Sequence, residues 1–230
     1  MNPGKDNKKP ALVEDLFSQI RGNDNRLVIG VTGSIATGKS TVSRMFEELG
    51  SPVVDCDLLS RLVVEPGRPA WEDIVSFFGE EVLLEDKTLN RKKLGEIIFQ
   101  DTARRKKLES IQHIRILDEM ARLVEEHVRR DPNVIVQGVV PLLIEVGWQP
   151  AFHKLIMVYI PEEEQVKRLI QRDDIDREMA MKIIRSQMPV EEKKGHCDFI
   201  IDNSGPLNET REQVVKLWEE LVNFSKKRET

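Results

Sequence analysis

The chain has 230 residues, 40% hydrophobic and 33% charged, which suits one domain with a sizeable insertion better than two full domains. Its formal net charge of -5 gives no sign of the basic stripe that a nucleic-acid binder presents, so no nucleic-acid partner is expected. No apolar run approaches the ~20 residues needed to span a bilayer, the first residues lack the apolar core of a signal peptide, and Cys56 and Cys197 have no metal spacing, so a cytoplasmic protein with reduced thiols and no membrane partner is expected.

Residues 1–10 are polar and rich in turn formers and read as disordered. Leu12, Val13, Leu16, Phe17 and Ile20 then recur at helical spacing, which predicts an appended helix over Ala11–Arg21, ended by Gly22-Asn23-Asp24-Asn25. Leu27–Thr32 is a β-branched apolar run and reads as a buried parallel strand. A glycine-containing loop follows, and helical spacing resumes from Ser40 through Leu49 before Gly50 stops it. Pro52–Asp55 reads as a second strand. Residues 58–133 are mostly helical, with helices predicted over Leu58–Val64, Trp71–Phe78, Arg91–Gln100 and Thr102–Arg130. That stretch is too long for one crossover and reads as a helical insertion. Strand signals return at Val134–Val136, Leu155–Tyr159 and Phe199–Ile201, with a charged helical region over Glu162–Arg185 and a closing helix over Glu209–Phe224. Strands alternating with helices predict an α/β fold with a five-stranded parallel sheet covered on both faces.

Gly33-Ser34-Ile35-Ala36-Thr37-Gly38-Lys39-Ser40 fits G-x-x-x-x-G-K-[S/T] between a strand and a helix. Gly33 and Gly38 permit backbone angles that a side chain would forbid, so consecutive N–H groups can turn inward as an anion nest. The following helix adds unpaired N–H donors and its positive dipole end. The candidate nucleotide-binding residues are therefore Gly33, Ala36, Thr37, Gly38, Lys39, Ser40 and Thr41, with Lys39 reaching the β- and γ-phosphates of ATP and Ser40 placing its hydroxyl on Mg²⁺. The N-K-x-D motif with which GTPases read the base is absent. A compact nucleotide core beside a helical insertion suits a small-molecule kinase.

Asp55 and Asp57 lie at the carboxyl end of the second strand, where ligands bind in open parallel sheets. One of them can orient and deprotonate an acceptor hydroxyl, or both can be turn or cap residues ahead of the next helix. Lys167, Arg168, Arg172, Arg177 and Arg185 decorate the charged helical region. They read either as a lid that clamps transferring phosphates or as a solvated face.

From about Leu27 to Leu221 the chain resembles the dephospho-coenzyme A (dephospho-CoA) kinase family. The resemblance is carried by the phosphate loop, Val54-Asp55-Cys56-Asp57 with Arg61, Val64-Glu65-Pro66-Gly67 with Pro69-Ala70, and Leu89-Asn90-Arg91. Pro141-Leu142-Leu143 with Glu145, Arg168-Leu169 with Arg172-Asp173, Ser186-Gln187-Met188-Pro189 and Asp202-Asn203-Ser204-Gly205 complete it. It implies a P-loop kinase that uses ATP and Mg²⁺ to phosphorylate the ribose 3′-hydroxyl of dephospho-CoA, with no obligate protein partner. Asp57 matches the family's catalytic base, Arg61 an acceptor-side residue, Arg172 the lid arginine and His113 a histidine of the acceptor region. The implied division is an N-terminal extension over 1–25, a kinase core over 26–57 and 131–230 with a lid at about 172–190, and an acceptor-binding insertion over 58–130. Three positions depart from the family's pattern: Ile114 stands for a proline, Ile183 for an arginine whose place Arg185 could take, and Val139 for an aspartate. The last leaves Ser40, phosphates and waters as the main Mg²⁺ ligands.

Overall fold

A computed structural model describes residues 9–228. Of the segment read as disordered, residues 1–8 lie outside the described residues, while Lys9 and Pro10 open helix α1 (Lys9–Arg21). Five strands, β1 (Leu27–Thr32), β2 (Val53–Asp55), β3 (Ile135–Val139), β4 (Lys154–Tyr159) and β5 (Phe199–Asp202), form one sheet in the order β2-β3-β1-β4-β5. Every pairing is parallel, as the alternation of strands and helices predicts.

Side chains alternate between the faces of a strand, so each run feeds two cores. Leu27, Ile29 and Val31 of β1 join Ile135, Val139, Ile156 and Val158 beneath α2 (Lys39–Glu48) and α10 (Leu207–Lys226). Val28, Val136 and Leu155 face the opposite way, toward α1, α3 (Cys56–Leu62), α4 (Pro69–Phe78), α5 (Arg91–Gln100) and α6 (Thr102–Arg130). The helices inserted after β2 therefore share their core with the sheet. Helix α1 shares it too, burying Leu16, Phe17 and Ile20. Arg26 ties this corner together through ion pairs to Asp24 and Glu125.

The charged region expected as one helix over Glu162–Arg185 is two, α7 (Glu162–Asp173) and α8 (Arg177–Arg185). Asp174 turns left-handed at φ 51°, and the Asp176 carboxylate accepts from the Met179 N–H at 2.7 Å to start the second helix. An aspartate tolerates that conformation better than most side chains, which is why helix-forming composition on both sides hid the break. A short helix, α9 (Val190–Lys194), was not anticipated; five residues are too few to show a period.

One buried polar cluster fixes the middle of α2 and the turn after it against the sheet. The Gln137 side-chain amide on β3 donates to the carbonyls of Ser43 and Ser51, both at 3.0 Å, and its oxygen accepts from the Ser43 hydroxyl at 2.8 Å. Buried polar groups satisfied in this way specify one arrangement of the elements they join. Among the described residues no helix is long and apolar enough to cross a membrane. Both cysteines are free thiols. Burial raises both, Cys197 to about 11, with the charges of Asp55 and Asp57 adding to the effect on Cys56.

Candidate active site

The phosphate loop follows β1 directly and hands over to α2 at Lys39, one residue before the position read from the sequence. Its backbone is left-handed at Ala36, φ 63°, and at Gly38, φ 84°. Such excursions in a loop aim successive N–H groups into one concavity. A side chain at Gly38 would be strained, and its Cβ would stand 2.2 Å from Nδ2 of Asn203. At Gly33 a Cβ would meet the Val158 carbonyl oxygen at 2.7 Å. The two glycines of the motif thus let neighbouring groups touch the loop backbone itself.

Asn203, directly after β5, holds the loop from the β4–β5 flank. Its Nδ2 donates to the Thr37 carbonyl at 2.8 Å, and its Oδ1 accepts from the Thr210 hydroxyl at 2.9 Å. Its own carbonyl accepts from Arg168 at 2.7 Å. On the other flank, the Ile35 N–H donates to Oε1 of Gln187 at 2.9 Å. Ile35 and Ala36 also pack on the small apolar cluster joining α7 to α8, which includes Val166, Leu169, Ala180 and Ile184.

A cavity of about 930 Å³ opens over this loop. Ala36, Thr37, Gly38, Lys39 and Ser40 line it, together with Asp55 and Asp57 and with Arg168 and Arg172. A space of this size suits a nucleotide-sized ligand. Thr41 follows on the exposed side of α2.

The structure separates the two aspartates. The chain turns helical at Cys56, and Oδ1 of Asp55 accepts from the N–H of Asp57 at 2.8 Å and that of Leu58 at 3.4 Å. Asp55 is the helix cap, a role that leaves Asp57 in the first turn with its carboxylate unclaimed by the backbone. Burial raises the Asp57 carboxyl above its usual value, and the Asp55 charge adds to this, while Lys39 and Arg61 pull it down. Burial lowers the Lys39 ammonium, opposed chiefly by Asp57. A carboxylate and an ammonium that perturb one another in a cleft mark a candidate functional site.

Of the remaining candidates only Arg172 shares this cavity. Arg172 lines the cavity, but its guanidinium is paired with Asp173 at 2.7 and 2.9 Å. Arg61 lines a smaller neighbouring cavity of about 260 Å³ with Glu65 and Arg91. His113 lines neither; it sits half-buried on α6, edge-on to Trp148 with ring centroids 5.3 Å apart, and burial lowers its imidazole. Arg185 lies with Arg177 and Lys182 along the outer side of α8, and Ile183 packs inward on the α7–α8 cluster. Asn203, Gln187 and Arg168 acquire roles that sequence reasoning did not give them, although each falls inside a quoted motif. Their polar side chains in otherwise unexplained motifs were the available signal.

The family model described as dephospho-CoA kinase matches residues 27–209. The dephospho-CoA kinase of Geobacter metallireducens is 46% identical over 197 residues, covering 85% of this chain and 97% of that protein. The dephospho-CoA kinase of Listeria innocua is 44% identical over 195 residues, covering 85% and 97%. Among solved structures, a dephospho-CoA kinase from Campylobacter jejuni superposes with a TM-score of 0.62 at 30% identity, covering 86% of this chain and 98% of that one. The TT1252 protein from Thermus thermophilus does so with a TM-score of 0.72 at 33% identity, covering 85% and 97%.

Proposed function

The chain belongs to the dephospho-CoA kinase family, and we propose that Asp57, Lys39 and Arg172, which line one cavity with the phosphate loop, are the residues with which it carries out that family's reaction. It is a kinase that transfers a phosphoryl group from ATP to dephospho-CoA, the final step of coenzyme A synthesis. The acceptor group is the ribose 3′-hydroxyl.

The observation that carries the assignment of residues is that Asp57 and Lys39 line the same cavity and act on one another's charge. The loop amides and the N-terminus of α2 hold the β- and γ-phosphates, and the Lys39 ammonium stands against the charge that builds up during transfer. The acceptor oxygen forms a bond to the γ-phosphorus as the bond to the bridging oxygen of ADP breaks, and the hydroxyl proton passes to the Asp57 carboxylate. Arg172 exchanges Asp173 for the transferring group. Its present ion pair is an exposed one, with Arg172 56% and Asp173 36% accessible, and such pairs hold their partners by only ~0–1 kcal/mol. The segment at about 172–190 is the lid, and the helices over 58–130, with Arg61 and His113, take the acceptor.

Mg²⁺, when bound with the phosphates, would neutralise part of their charge. Ser40 fits this role, since its hydroxyl belongs to a residue on the cavity wall beside Lys39. Phosphate oxygens and waters would supply the ion's other ligands.

The deciding experiment incubates the protein with Mg-ATP and dephospho-CoA and locates the new phosphate on the product. Coenzyme A phosphorylated at the ribose 3′ position is expected. Turnover only with another acceptor, such as a nucleoside monophosphate, would overturn the reading.

The Asp57 environment also predicts a pH dependence. A base must be deprotonated, so kcat/KM falls as pH drops through the Asp57 pKa, which is raised above the ordinary 3.8. Asn caps helices as well as Asp does, so Asp55→Asn keeps the cap while removing a charge that raises Asp57. Its acid limb should move to lower pH in a kcat/KM profile. A limb that stays in place would separate Asp55 from the titration of the base.

A further inference from the structure

Lys193 is fully buried. Lysine is almost never buried to that extent unless paired. Its Nζ lies 2.8 Å from Oε1 of Glu145, in the loop after β3, and donates to the Pro141 carbonyl at 3.5 Å. That carbonyl also accepts from the Thr32 hydroxyl at 3.2 Å, at the residue before Gly33. Oε1 of Glu145 accepts in addition from the Met188 N–H at 3.2 Å. Met188 follows Gln187, whose side chain accepts the Ile35 N–H. A single ion pair, its lysine fully buried and its glutamate side chain 21% accessible, thus connects the loop after β3, the segment returning from α8, helix α9 and both sides of the first turn of the phosphate loop. Its charge reaches the reaction centre too, since Lys193 is among the groups that lower Lys39.

Packing alone would not call for this arrangement. Replacing a buried ion pair by apolar residues of similar volume is often neutral or stabilising. We propose that Glu145 and Lys193 form a positioning pair for phosphoryl transfer, fixing the phosphate loop against the returning segment and supplying a second positive charge behind Lys39. The pair touches neither ATP nor acceptor. It sets where the loop amides and Lys39 point when the segment over them closes. The inference rests on the reading of the cavity as the ATP phosphate site.

The test compares Lys193→Met with the double variant Glu145→Gln/Lys193→Met, reading thermal melting, kcat and both KM values with Mg-ATP and dephospho-CoA. Lys193→Met alone leaves Glu145 without its partner and should melt below the parent. The double variant should regain most of that melting temperature, yet keep kcat at least ~10-fold below the parent with both KM values within ~3-fold. A double variant that melts like the parent and turns over within ~3-fold of it overturns the inference, because the pair would then serve stability alone. If the double variant does not fold, Lys193→Arg replaces it, assayed beside Lys193→Met at a temperature where circular dichroism shows both folded. A kcat for Lys193→Arg at least ~10-fold above that for Lys193→Met supports the positioning role, and equal values overturn it. A parent protein that does not turn over dephospho-CoA would instead remove the functional reading itself.

Discussion

Asp57→Asn is expected to lower kcat by ~10²–10⁴ while leaving ATP affinity nearly unchanged. The substitution keeps the size and polarity of the side chain but removes its ability to take the proton from the acceptor hydroxyl. ATP affinity should survive because the contacts proposed for the nucleotide phosphates come from the loop amides, the start of α2 and Lys39 rather than from Asp57. Folding should survive as well, since the cap of α3 is supplied by Asp55. Steady-state kinetics with an independent ATP-binding measurement checks both halves. A kcat within a few-fold of the parent would remove Asp57 from the mechanism and leave the acceptor hydroxyl to lose its proton to water or phosphate.

Lys39→Ala is expected to lower kcat by ~10²–10³ and to weaken ATP binding together with it. Lys39 is the cationic side chain of the loop itself, so its loss should be felt in the ground state as well as in the transition state. The two variants therefore differ in kind: one changes kcat alone, the other kcat and nucleotide affinity. A second consequence comes from charge. Lys39 is the first of the groups that oppose the rise of the Asp57 pKa. Without it the carboxyl should rise further, and the residual activity of Lys39→Ala should lose its acid limb at higher pH than the parent. Titration calorimetry with ATP and a kcat/KM profile against pH test this; unchanged ATP affinity would place the phosphates away from Lys39.

The lid reading draws on how α7 and α8 are attached. Their apolar cluster is small and includes Ile35 and Ala36 of the phosphate loop. The phosphate loop and the α7–α8 segment are thereby packed together, and Gln187 adds a direct hydrogen bond between the loop and the residues after α8.

The sequence by itself determined whatever depends on neighbours in the chain. Leu27–Thr32 announces a strand because six consecutive apolar or small residues bury on both faces of a parallel sheet. Arg91–Gln100 and Thr102–Arg130 fall at the boundaries read from their spacing. The phosphate loop is legible because its chemistry needs glycines, a lysine and a hydroxyl at fixed offsets. Only the tertiary structure decided which of two aspartates is taken up by the helix cap and which keeps its carboxylate free, since that turned on the chain becoming helical at Cys56 and giving the cap to Asp55. It alone placed Arg61 in a neighbouring cavity and His113 against Trp148. It also brought Asn203 to Thr37, 166 residues away, and Lys193 to Glu145. Periodicity and motif spacing are local properties of a chain. The direction of one side chain, and the partner it meets across the sheet, are fixed only when distant segments pack together.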